Sequence, residues 1–302
     1  MKKKNKPYAY LLAAAVLLLG FGGYGLYNVY APVNADIKEV SKITPAESGA
    51  EFWFYAPSTG QGDVSVLKAG GKTIVVDAAD TSTKNETIGK ISAATGGSID
   101  ILILTHAHAD HIGCAAEFIT NFDVGEIYMN RPSTTPTTKT YESFLTAAAG
   151  KNLEIKQVEN GDTIKHEELL LEFFVGNPTK GNLNNDSIVT RVSFKGHSVL
   201  LCGDIESKGM TDIAASGPDF KADIIKVPHH GSTTSINDKF YDIAKPSFAV
   251  IMVGKNNYGH PAQKLLDMLS DRKIKTFRTD TNGDILFEFS QNGIGVKIIR
   301  EG

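Results

Sequence analysis

The stretch "IDILILTHAHADHIG" (residues 99–113) decides how this chain is read. Apart from Asp100, its first half is an unbroken apolar run, as in strands covered on both faces. Its second half sets His106, His108, Asp110 and His111 within six residues at the exit of that strand. Alternate side chains of an extended segment share a face, so His106 and His108 can offer two imidazoles to one cation. Asp110 and His111, where the chain turns into a helix, can serve a second. Imidazole together with carboxylate suits zinc, iron or manganese.

Other strand exits carry matching groups. "HSVLLCGD" (residues 197–204) ends an apolar strand on Asp204, the candidate carboxylate to bridge both ions. "KVPHHGS" (226–232) runs a strand into His229 and His230. Adjacent residues of an extended backbone diverge, so His230 is assigned to metal and His229 to substrate. Gly231 and Ser232, ahead of an expected helix, can present N–H groups to a substrate anion. "NNYGHP" (256–261) supplies His260. It can serve as a metal ligand or as a hydrogen-bond donor to a phosphoryl oxygen, with Asn256, Asn257 and Tyr258 as polar companions. Six of the eight histidines lie in these motifs. The other two, His166 and His197, read as solvated turn residues.

Outward from these motifs, the sequence reads as short strands separated by turn clusters, with helices between them. Strands are expected in "EFWFYAP", "DVSVLKA", "KTIVVDA", "ELLLEFF", "SIVTRVSF", "ADIIKVP", "SFAVIMV", "KTFRTD", "DILFEFS" and "GVKIIR". Helices are expected over 83–95, from His111 to Asn121, and in "SINDKFYDIA" and "PAQKLLDMLS". A run of strands, a helical interlude and a second such run predict an α+β domain, two mixed sheets face to face with helices outside: a four-layer αββα sandwich over residues 51–302. Residues 36–50 read as a linker. Cys114 and Cys202 read as small buried residues, since a domain this large does not need disulfides.

The N-terminus differs from the rest. Four lysines in the first six residues precede residues 8–30, which are mostly apolar and uncharged. At about 1.5 Å per residue that run is roughly 35 Å long as a helix, enough to cross a bilayer. Lysines ahead of it predict an N-terminus inside and a domain outside the cell. Residues 1–35 therefore read as a membrane anchor, or as a signal peptide cut after Ala35 that leaves a secreted protein. They hold four lysines and no acid, so without them the net charge falls from −3 to −7. Such a domain lacks the basic surface of a general nucleic-acid binder. No obligate protein partner is evident.

The motifs resemble those of the metallo-β-lactamase superfamily: His106, His108, Asp110 and His111 match its HxHxDH signature, and Asp204 matches its later bridging aspartate. Within it, the order of "GQGD" (60–63), Asp77, "NDS" (185–187), "GD" (203–204), "HHGS" (229–232) and "YGHP" (258–261) is similar to the soluble domain of ComEC-type DNA-uptake proteins. The same order resembles choline-phosphate esterases of cell-wall teichoic acid. The resemblance implies two divalent ions, zinc first and manganese or iron as alternatives, and hydrolysis of a phosphoester in nucleic acid or wall polymer. It implies a ligand role for Asp110 at the reacting centre, charge-offsetting roles for His229 and His260, and a supporting hydrogen bond from Asp77 to a ligand imidazole. Where many superfamily members have a histidine before the bridging aspartate, this chain has "NLNNDSIV", so Asn184, Asn185 or Asp186, or water, would substitute.

The expectation is thus a membrane-anchored extracytoplasmic phosphodiesterase or nuclease. A teichoic-acid esterase, a lactonase-like or β-lactamase-like hydrolase, and a noncatalytic metal-stabilised binding module are its rivals.

Overall fold

A computed structural model describes residues 37–40, 45–217 and 219–300. The expected membrane segment, residues 1–35, lies outside them. Among the described residues no helix is long and apolar enough to cross a membrane.

Chain order accounts for the layers. The first sheet takes β1 (Ile37–Val40), β2 (Phe52–Ala56), β3 (Ser65–Ala69), β4 (Lys72–Val76), β5 (Ser98–Ile103), β6 (Asp123–Tyr128) and β7 (Ile155–Lys156). The second takes β8 (Thr163–His166), β9 (Leu169–Val175), β10 (Ile188–Phe194), β11 (His197–Leu201), β12 (Ile224–Lys226), β13 (Phe248–Ile251) and β14 (Lys275–Arg278). The last hairpin, β15 (Asp284–Ser290) and β16 (Gly293–Ile299), returns to the first sheet between β1 and β2.

Each sheet has an antiparallel part built from hairpins and a parallel part. Strands β4 to β7 run parallel in one sheet, and β11 to β14 in the other. Parallel neighbours need a crossover, usually a helix. The chain supplies α1 (Lys84–Thr95), α2 (Ala109–Ile112), α3 (Ala115–Asn121) and α4 (Lys139–Gly150) on the first sheet, then α5 (Ser207–Ala215), α6 (Asp238–Ala244) and α7 (Gln263–Asp271) on the second.

Period-two patterning then sorts the side chains. Phe52, Phe54, Ile74, Val76, Ile101 and Ile103 meet Leu171, Phe173, Val199, Leu201, Phe248 and Val250 between the sheets. Trp53, Tyr55, Val75 and Leu102 face outward onto Ile91, Phe118 and Phe144 of α1, α3 and α4. Leu200, Ile225 and Ala249 likewise meet Met210, Phe240 and Leu265 of α5, α6 and α7. The observed stacking is αββα. Cys114 and Cys202 are buried, free and in different outer layers.

Three expectations change. Part of the expected linker is β1, paired in parallel with β16, because the outer side of β16 offers unpaired N–H and C=O groups that an extended segment can meet. The helix expected over 111–121 is broken at Gly113 into α2 and α3. His197 is not merely solvated: Nε2 lies 3.1 Å from the Ser290 carbonyl of the other sheet, and Nδ1 3.4 Å from Asp223.

Gly113 is broken out for lack of space. A Cβ there would stand 2.4 Å from the Ala79 carbonyl oxygen and 2.7 Å from the Thr81 nitrogen. The main chain of the His106–His111 loop packs directly on the turn after β4, with Ala78 N donating to His111 O and Gly113 N to Ala79 O. Gly113→Ala is expected to cost about 3 kcal/mol, at the upper end of overpacking effects because backbone must move, read as a lower urea midpoint.

Candidate metal centre

All the ligand-type motifs leave the carboxyl ends of parallel strands. Asp77 follows β4, the histidine loop follows β5, Asp204 follows β11, His229 and His230 follow β12, and the 254–260 loop follows β13. Open parallel sheets bind ligands at that edge. Here two sheets bring such edges to one place.

The donors converge as follows. His106 Nε2 and His108 Nδ1 lie 3.0 Å apart. Beside them, Asp110, His111, Asp204 and His230 each offer one atom, all within 4.8 Å of one another. His111 Nε2 lies 3.1 Å from Asp204 Oδ1, while His230 Nε2 lies 3.3 Å from Asp110 Oδ2 and 3.5 Å from Asp204 Oδ2. The His106 and His111 ring centroids are 4.2 Å apart, so the two groups of donors adjoin.

Supporting hydrogen bonds decide which nitrogen faces inward. The His111 Nδ1–H donates to Asp77 Oδ2 at 2.8 Å, leaving the Nε2 lone pair toward Asp204. The Thr105 hydroxyl donates to Asp77, so its oxygen accepts from His106 Nδ1–H at 3.1 Å, and His106 Nε2 also points inward. Met252 O accepts from His230 Nδ1–H at 3.0 Å, with the same result. Three imidazoles are thereby held as lone-pair donors, the arrangement metal ligands need. Asp77 orients two of them.

The electrostatics agree. Burial and the neighbouring His111 hold His106 well below its ordinary pKa, so its ring is neutral. Burial opposes a charge on His111, yet the Asp204 and Asp77 carboxylates raise it well above its ordinary value. For Asp110, burial is outweighed by the His230 hydrogen bond and the His111 charge, and its carboxyl sits well below the usual range. The pocket thus demands positive charge between His111 and Asp204, as a cation or a proton can supply. His111 Nε2 and Asp204 Oδ1 are buried and make no hydrogen bond despite their 3.1 Å approach. Two lone pairs aimed at a common centre fit a cation.

The remaining expected site residues divide. His229 is separated from His230 although the backbone is not extended there: both residues are left-handed, with φ of 50° each. The turn sends His230 into the core and His229, 21% exposed, into the cavity, with its Nε2 3.9 Å from Asp204 Oδ2. His260 and Asn257 line the same cavity. Ser232 does not. Its amide donates to His229 O, its hydroxyl accepts from Thr234 N, and it is buried away from the cavity wall. Asn185 accepts from the amides of Glu206 and Gly209 around the first turn of α5, and Asp186 Oδ2 accepts from Ser133 N, while Asp186 Oδ1 is buried and makes no hydrogen bond. Of the "NLNNDS" run, Asn184 is the side chain on the cavity, with a buried Oδ1 that makes no hydrogen bond.

Sequence reasoning passes over two buried groups here. Lys226 ends β12 on the inward face, two residues after Ile224. Its Nζ contacts Asp63 and donates to Gly203 O at 3.0 Å, 3.8 Å from Asp204. Burial lowers the Lys226 pKa, and the Asp63 carboxylate against it acts in the opposite direction. Asp63 also joins the "GQGD" turn to the histidine loop, its N–H donating to Asp110 O. The signals were a lysine in the apolar strand "ADIIKVP" and the aspartate closing "GQGD".

Residues 57–255 match the metallo-beta-lactamase superfamily. The chain belongs to that superfamily. Its members are metal-dependent hydrolases with two-metal sites, and the expected sandwich is the superfamily fold. The chain is 36% identical over 201 residues to ComE operon protein 3 of Bacillus subtilis, covering 65% of this chain and 25% of that protein. It is 25% identical over 296 residues to competence protein ComA of Neisseria gonorrhoeae, covering 96% and 39%. It therefore spans between a quarter and two fifths of the length of these relatives, and they bear out the ComEC-type resemblance. Among solved structures, CmlA, a diiron β-hydroxylase from Streptomyces venezuelae, shares the fold at a TM-score of 0.55 and 13% identity, over 79% of this chain and 54% of that one.

Two measurements probe the centre without turnover. Zinc at a hundred times its dissociation constant should stabilise the folded state by about 2.7 kcal/mol in thermal melts, and Asp204→Asn should remove that gain. Lys226→Met leaves the Asp63 carboxylate buried without its cation, at an expected cost of about 3–5 kcal/mol in urea unfolding, most of it recovered in Lys226→Met/Asp63→Leu.

Proposed function

We propose that this member of the superfamily is a membrane-anchored, extracytoplasmic phosphodiesterase acting on nucleic acid. The observation that carries this reading is the buried histidine–aspartate cluster opening on one side into a cavity of about 840 Å³, a size that admits a nucleotide-sized ligand. The competence relatives support nucleic acid as the substrate class. The apolar segment behind four lysines supports the anchor and the outward-facing domain.

His106, His108, Asp110, His111, Asp204 and His230 would hold two divalent ions, zinc foremost. Such ions lower the pKa of water toward about 7 and offset charge on phosphoryl oxygens. The protein's own groups do the rest. Asp77 keeps two ligand imidazoles in the inward-facing tautomer. His229 is lowered by burial and is neutral at pH 7. The Thr234 hydroxyl donates to Ser232, so it accepts from His229 Nδ1–H at 3.0 Å and the Nε2 lone pair faces the cavity. His229 Nε2 is then the atom that takes up or releases a proton beside the reacting phosphate. His260, also lowered by burial, lines the cavity, where its ring can donate to a phosphoryl oxygen.

The test is hydrolysis of bis-p-nitrophenyl phosphate by the full chain with zinc, manganese, iron or cobalt. His106→Ala and Asp204→Asn should abolish it, and Asp77→Ala should weaken metal affinity or activity by about 10- to 100-fold. No turnover in any of the four metals removes the reading. Wall-polymer phosphoesters and lactones belong in the same panel, because a domain of net charge −7 accommodates a small headgroup readily. A metal-loaded protein that binds a polymer without cutting it would point to a binding module.

A further inference from the structure

Among the described residues two large hydrophobic side chains are exposed, Leu145 and Tyr258. Tyr258, 75% exposed, stands on the rim of the cavity just described. Its loop is firmly held. Asn256 Oδ1 accepts from the amides of Tyr258 and His260, and Asn256 Nδ2 donates to the carbonyls of Gly254 and His260. One side chain thus closes four hydrogen bonds around the turn. An aromatic ring kept in water by a preorganised loop is ready to bind without first being ordered.

The ring also has a direction. Tyr258 and His260 have centroids 5.8 Å apart with planes 33° from parallel, and His229 follows 5.5 Å beyond His260. A path of two ring-to-ring steps leads from the rim toward Asp204. Charge narrows the occupant. Among the described residues Lys255 is the sole lysine or arginine on the cavity wall, offset by Asp80, while Asp110 and Asp204 belong to the metal cluster. A polyanion gains little from such a wall through its phosphates, whereas a planar base gains from an aromatic face whatever its sequence. A duplex keeps its bases stacked inside and offers none to Tyr258.

We propose that Tyr258, with His260 behind it, is a stacking subsite for one unpaired nucleobase flanking the scissile phosphodiester, so that the enzyme selects single-stranded nucleic acid by base stacking rather than by phosphate charge. The proposal deepens the phosphodiesterase reading, but base recognition is measured without turnover.

The experiment is equilibrium binding of fluorescent, phosphorothioate-linked pentathymidine to the zinc-loaded full chain, beside the same pentamer with abasic tetrahydrofuran units. Wild type should prefer the base-bearing pentamer by about 5- to 150-fold. Tyr258→Ala should erase that preference and Tyr258→Phe should keep it. The logarithm of affinity should fall against the logarithm of salt with a slope of about 0.7, as for a single phosphate contact to a single strand. Equal binding of the two pentamers by wild type, or an undiminished preference in Tyr258→Ala, overturns the proposal. So does a glycerol-phosphate oligomer bound as tightly as pentathymidine, which would assign the rim to wall polymer. Failure to hydrolyse bis-p-nitrophenyl phosphate in any metal removes the catalytic reading and leaves the base preference still measured.

Discussion

The Asp204 carboxylate, 2% exposed at the end of β11, is the group the rest of the molecule must answer. A carboxylate taken out of water needs positive charge or hydrogen bonds close by. The chain answers with imidazoles from two different sheets, His111 at 3.1 Å and His230 at 3.5 Å, and with the Lys226 ammonium at 3.8 Å. His230 and Lys226 come from β12 and its exit, beside β11 in the same sheet, whereas His111 can reach Asp204 only if the two sheets pack face to face with their parallel edges aligned. The apolar layer between the sheets brings that alignment about, and the polar cluster sits at its rim.

Precision at that rim comes from backbone that few residues adopt willingly. Asp77, Ala79, His229 and His230 are all non-glycine residues with positive φ, and all lie in the turns that leave the parallel strands. Such conformations persist when the surroundings over-determine them. Here the surroundings are identifiable: Asp77 N donates to Ile103 O, Ala79 N to Asp63 O, and His229 N to Gly203 O. The left-handed pair at 229 and 230 does the most for chemistry. It splits two adjacent imidazoles between a buried ligand position and an accessible cavity position.

From inside outward, the centre changes from charge chemistry to shape. Asp63 and Lys226 lie beneath it, the ligand-type imidazoles and carboxylates form it, His229 and His260 line the wall, and Tyr258 marks the entrance. The acidic surface does not conflict with a nucleic-acid substrate if recognition at the entrance relies on an aromatic face. The supporting residues lie on strand ends and in hydrogen-bonded turns, so the cavity is preorganised.

Much of this was legible along the chain. The unbroken apolar runs of "EFWFYAP" and "SFAVIMV" are local, and they announce strands covered on both faces. The clustering of His106, His108, Asp110 and His111 is equally local, which is why the metal chemistry and the superfamily could be read before any fold. Short or polar elements such as β6, β7, α4 and α5 were not legible, since their structure comes from what they pack against. The hydrogen bonds that Ser232, Asn185 and Asp186 make to neighbouring backbone were not legible, because a side chain's hydrogen-bond partner is a tertiary fact. Lys226 escaped notice for the same reason, as a lysine in a strand declares its charge but not the buried carboxylate awaiting it. The sequence by itself determined the ligand types and the strand ends that carry them. The tertiary structure alone decided which ring nitrogen faces inward, which of two adjacent histidines is buried, and which carboxylate they share, because those depend on distances between residues up to 120 positions apart.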